Sequence, residues 1–160
     1  MRVTNILPAG AWDITREVDR VLIDYDRRFR RRIVLATVLG GEVLIDLPQA
    51  VRLRHGDGLQ VSAGIVRVCA QAEDLMEIHA HDESDLVRIA WHLGNRHLPV
   101  QLLGEYIRIR ADHVIGEMVE GLGGHVDLIQ APFDPEAGAY SGAHSGGGHH
   151  HHHGDDDHHA

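Results

Sequence analysis

A single cysteine, Cys69, is all the thiol this chain possesses. One thiol excludes an internal disulfide and fits a reducing, cytoplasmic setting. It sits in the strand-like run Ile65-Val66-Arg67-Val68-Cys69-Ala70, where it reads as a buried, inert side chain. No apolar run approaches the roughly 18 residues that a membrane helix needs. The start, Met1-Arg2-Val3, leads into a short, interrupted apolar stretch that does not read as a secretory leader. A membrane partner is therefore not expected. Positive charge is also scarce: the formal net charge is -9, which argues against a general nucleic-acid binder. Serines are few (Ser62, Ser84, Ser141 and Ser145), and none lies in a nucleophile-elbow pattern. HExxH, CxxC and Walker sequences are missing. The absences together disfavour an enzyme.

Histidine is the residue in excess. There are 15, of which 8 fall from His144 onward: His144, His149, His150, His151, His152, His153, His158 and His159. Imidazole adds little to solubility near neutrality but supplies the borderline nitrogen donors that nickel, zinc and copper prefer. The tail interleaves them with Gly146-Gly147-Gly148 and Asp155 to Asp157, and this mixture of imidazole and carboxylate suits a nickel or zinc buffer. From Ala137 the chain loses all hydrophobic periodicity. That composition buries no core and predicts disorder without metal over 141–160.

Hydrophobic residues make up 43% of the chain, enough for a packed core, and the pattern divides the chain in two. Over 1–72, short apolar or alternating runs (Val18 to Tyr25, Arg32 to Val38, Glu42 to Leu47) are separated by turns such as Gly40-Gly41 and Gly56-Asp57-Gly58. Strands this short, with no helix between them, predict a small barrel-like or sandwich-like β domain. Arg27 to Arg32 is the one basic run, read as a solvated hairpin or a docking strip.

Over 73–140 strand and helix alternate. Leu75 to His79 reads as a strand. Leu86, Ile89, Ala90 and Leu93 share one helix face over 83–93. Asp82 or Ser84 suits the helix start, Gly94 the left-handed residue past its end, and Pro99 stops it resuming. Val100 to Leu103 and Tyr106 to Arg110 are extended. Asp112 caps a second helix with Val114, Ile115, Met118, Val119 and Leu122 on one face, and His125 to Ile129 is a last strand. The order β-α-β-β-α-β predicts a ferredoxin-like domain and an α+β class for the whole chain.

Two core histidines stand out. His97 lies on a loop outside regular structure, beside Arg96, free to point a nitrogen at a metal. His113 follows the capping Asp112 at a helix start. His79 and His81 lie two apart at a strand end, His92 follows Trp91 on the helix, and His55 and His125 read as surface residues.

Gly94-Asn95-Arg96-His97, then Pro99-Val100-Gln101, Asp112-His113-Val114, Pro132-Phe133-Asp134-Pro135-Glu136-Ala137-Gly138-Ala139-Tyr140 and a histidine-rich tail resemble the UreE family in combination and in order. Those are urease accessory proteins that act as nickel metallochaperones. The resemblance implies a homodimer with a partner-contacting β domain and a metal-binding domain. It further implies delivery of Ni2+ to urease with the accessory GTPase UreG and the urease apoprotein-accessory complex. His97 matches an interface ligand given once by each protomer. His113 matches a peripheral ligand, although Ala111 stands where some members have another histidine. Zn2+ or Cu2+ are expected to bind in vitro. The competing expectation is a general nickel or zinc storage or buffering protein.

Overall fold

A computed structural model describes residues 1–138. The tail histidines named above therefore lie outside the described residues. Among the described residues no helix is long and apolar enough to cross a membrane.

Six strands build the first part: β1 (Asn5–Leu7), β2 (Glu17–Ile23), β3 (Phe29–Ala36), β4 (Glu42–Arg52), β5 (Gly58–Val61) and β6 (Gly64–Ala70). A four-stranded sheet in the order β1-β5-β6-β2 faces the β3-β4 hairpin. Val21, Ile23, Leu35, Val43, Ile45, Leu59, Val66 and Val68 alternate inward from the two layers and form one core. This is the small β unit that the run lengths imply. The β2–β6 pair is parallel, from Glu17↔Ile65 to Ile23↔Ala70, with a bulge after Glu17.

The second part runs β7 (Ala72–His79), α1 (Glu83–Asn95), β8 (Gln101–Leu102), β9 (Ile107–Arg110), α2 (His113–Gly121) and β10 (His125–Pro132). Its sheet has the order β10-β7-β9-β8 with every pair antiparallel, the βαββαβ arrangement read from the chain. Met76, Ile78, Ile107 and Ile109 face Ile89 and Leu93 of α1 and Ile115 and Val119 of α2.

Three details depart from the sequence reading. Val114 is exposed while Ile115 and Val119 are buried, because the buried stripe of this short helix is narrower than the apolar set. Arg28, inside the basic run, is 1% exposed; it ends a 3-10 turn, Asp26–Arg28, that points it inward. There Nη1 donates to the Ile23 carbonyl at 3.0 Å and Nη2 to that of Phe133. Burial holds this guanidinium below its ordinary pKa. The third departure concerns the end of α1.

Candidate metal centre

Helix α1 begins where the Asp82 carboxylate accepts the Asp85 N–H at 2.8 Å, and it buries Ile89 and Leu93 on one face. Gly94 and Asn95 remain helical, and the left-handed residue comes at His97, three positions later than Gly94 suggested. The His97 N–H donates to the Gly94 carbonyl at 3.0 Å. His97 itself has φ 55°, the only positive φ on a non-glycine residue among those described. Histidine is one of the few L residues that visit this region with any frequency, and even so the conformation is strained. The turn holds because Leu93 on one side and Leu98 on the other are packed into the core, leaving the His97 imidazole exposed between two anchors.

His113 opens α2, where the Asp112 carboxylate accepts the Ile115 N–H at 3.1 Å. Its Nε2 lies 3.1 Å from Glu117 Oε1, one helical turn on, and both side chains are well exposed. Because β8 starts and β9 finishes at the same end of the antiparallel sheet, the turns bearing His97 and His113 share that end. A cleft of about 290 Å³ lined by Leu98, Pro99, Ala111, Asp112 and Ile115 runs between them. Among the described residues no three His, Cys, Asp or Glu side chains gather around a point that could hold a metal. The chemistry available at this end is thus that of separate imidazole donors, each with room for further ligands from elsewhere.

The other histidines are spread out. His55 is an exposed turn residue, as read from the sequence, and its Nδ1 also accepts the Ala70 N–H at 3.1 Å. His92 meets Trp91 edge-on, with ring centroids 5.0 Å apart. His79 lies at the end of β7 and His81 beyond it.

Sequence reasoning missed how the chain leading to the tail is fixed. The Glu136 N–H donates to the Val100 carbonyl at 2.8 Å, and the Asp134 N–H to Gln101 Oε1 at 3.2 Å. Both acceptors lie within four residues of His97. The segments Pro99-Val100-Gln101 and Asp134-Pro135-Glu136 are visible in the sequence, but their pairing is not, since the two are more than thirty residues apart.

Two family models match the chain: the N-terminal domain of the UreE urease accessory protein over residues 3–71 and its C-terminal domain over residues 73–160. A urease accessory protein UreE of Bradyrhizobium sp. (strain ORS 278) is 50% identical over 142 residues, covering 88% of this chain and 67% of that protein. The namesake of Beijerinckia indica is 45% identical over 144 residues, 89% of this chain and 83% of its own length. That of Rhodobacter capsulatus is 39% identical over 140 residues, 87% and 86% respectively.

Proposed function

Because this chain belongs to the UreE urease accessory protein family, we propose that it is a nickel metallochaperone. It binds Ni2+ through His97 at a homodimer interface and through its tail, and delivers the metal for assembly of the urease active site. Nickel is cargo here, not a resident cofactor. The observation that carries the reading is His97 itself, an exposed imidazole held at φ 55° between two core-packed leucines. A strained backbone at a histidine is costly and is retained where the side chain has work to do.

One imidazole holds nickel weakly. A twofold axis beside His97 supplies the second without any further residue in the sequence. Val87 and Trp91, four apart on α1 and 63% and 64% exposed, give that interface apolar surface on the helix that ends at the His97 turn. Nickel accepts nitrogen and oxygen sets from square-planar to octahedral, so His144, His149 to His153, His158 and His159, or water, complete the shell. An open set of this kind releases metal by ligand exchange, which a closed four-ligand cage resists. His113 serves as a peripheral ligand with Glu117 as its neighbour. The β unit, residues 1–72, contacts protein partners, with UreG and the urease apoprotein-accessory complex as recipients, and residues 73–140 handle metal.

Nickel titration with sedimentation tests this. The full chain should be a dimer binding several nickel ions. Protein ending after Tyr140 should remain a dimer and keep one tight nickel per dimer. His97→Ala in the shortened protein should abolish that tight site and leave the dimer intact. Tight binding that survives His97→Ala would overturn the assignment and direct attention to His113. General storage, the reading favoured by the tail composition, predicts instead many equivalent sites and no effect of His97→Ala.

A further inference from the structure

We propose that the sheet carries a second transition-metal site at the end remote from His97, where the imidazoles of His79 and His125 chelate one borderline divalent cation. His79 ends β7 and His125 begins β10, and the register sets them directly opposite each other. Directly opposed residues of an antiparallel pair have Cβ atoms about 4.5–5.5 Å apart and point to the same face. That face is the one away from the helices, since Met76 and Ile78, which alternate with Glu77 and His79, pack into the helix-side core. Two imidazoles so placed can converge on one ion, whose bonds to histidine nitrogen are about 2.0–2.1 Å.

One nitrogen of each ring already lies beside a carboxylate. His79 Nε2 lies 2.9 Å from Glu77 Oε1, and His125 Nε2 lies 3.4 Å from Asp127 Oδ1. Metal-bound histidine commonly donates its second nitrogen to a carboxylate, which fixes the tautomer and raises the basicity of the ligating nitrogen. Here each histidine has its own carboxylate two residues along its strand, and Glu77 stands opposite Asp127 in the same register. The two pairs form a two-by-two patch. The Nδ1 atom of each ring is left for the metal. Tyr106, next to β9 on the flank of β7 opposite β10, stacks on His79 with centroids 5.2 Å apart and planes 21° from parallel, so chelation with His125 turns the His79 ring away from this contact. Arg108 holds the second oxygen of Glu77 at 3.1 Å, so Glu77 braces its histidine and does not itself join the ion.

As the side chains stand, no three donors gather at this place, so the site is a two-imidazole chelate completed by water. His125, with its side chain 76% exposed, and His79, at 41%, are open to solvent. The thirteen-residue α1 separates this end from the His97 turn, a distance of roughly 20 Å at 1.5 Å per residue. The two centres are therefore independent. Nothing in the local sequence around either histidine announces the pair, because only the strand register joins them.

The test is a titration of the full chain with Zn2+ alone, followed through the imidazole nitrogen signals of each histidine. His79 and His125 should shift together in one saturating step. In His79→Gln the midpoint at His125 should rise at least tenfold through loss of chelation, and His125→Gln should do the same at His79. The two reciprocal variants guard against local damage to either strand end, and metal-free thermal unfolding of both should match the unaltered protein. A His125 midpoint unchanged in His79→Gln would overturn the site. So would the absence of any shift at these two residues after the His97 and tail signals have saturated, a result that would leave the proposed function standing.

Discussion

At φ 55°, His97 occupies a backbone region where glycine is at ease and a side chain is not. His97→Gly should therefore raise stability by roughly 0.5–1 kcal/mol, the relief of strain less the added freedom of the unfolded chain. His97→Ala should show no such gain, and urea unfolding of both variants without metal checks the difference. A second residue sets a pH dependence. Asp57 is 7% exposed and accepts the N–H groups of Ala9 and Arg54 at 3.1 and 2.8 Å. Burial outweighs those hydrogen bonds and pushes its carboxyl above the ordinary 3.8. A raised folded-state value contributes stability that is fully present below the unfolded pKa and is lost as pH rises through the folded one. The stability of the unaltered protein relative to Asp57→Asn should consequently fall as pH rises from below 3.8 through the acid range. A flat difference across acid unfolding curves would count against it.

At the scale of elements, two glycines in the same α/β unit should respond oppositely. A Cβ on Gly124, between α2 and β10, would stand 2.7 Å from Val119 Cγ1, 2.8 Å from Ile89 Cδ1 and 3.0 Å from the Val119 carbonyl. Gly124→Ala should cost about 1–3 kcal/mol by overpacking. Gly94 lies within α1 with nothing near its missing Cβ, so Gly94→Ala should gain up to about 1 kcal/mol of helix propensity. Thermal unfolding of the pair reads both. Helices α1 and α2 were legible in the sequence because a 3.6-residue period and a capping aspartate are local signals, and Asp82 and Asp112 do cap them. The parallel pairing of β2 with β6 was not, since it joins residues about fifty apart. Nor was the inward turn of Arg28: in a run of six residues with five arginines, composition does not mark which one the 3-10 turn buries. His97 was found as a candidate, but its strained backbone was not, because Gly94 offered the cheaper local stop. The opposition of His79 and His125 lay in register alone.

Across the whole molecule, the two parts are joined by specific contacts. Arg28 reaches the Phe133 carbonyl, Tyr25 packs edge-on against Phe133 at 5.4 Å, Arg110 pairs with Asp26 at 2.9 Å and Arg54 with Asp134 at 3.2 Å. Arg28→Ala should cost about 3 kcal/mol, from the cavity and from the Phe133 carbonyl left without the Arg28 donor, while the Ile23 carbonyl keeps the Gln71 N–H. The same change should speed amide exchange at Glu136, whose N–H is held by Val100. That last hydrogen bond fixes the root of the tail. His144, eight residues beyond Glu136 in the sequence, can stand at most about 28 Å from it at some 3.5 Å per residue. In the proposed carrier, tail and loop are thus tethered reactants, with an effective concentration on the order of millimolar. Passage of a metal between them would be first order, and diluting the protein would leave its rate unchanged.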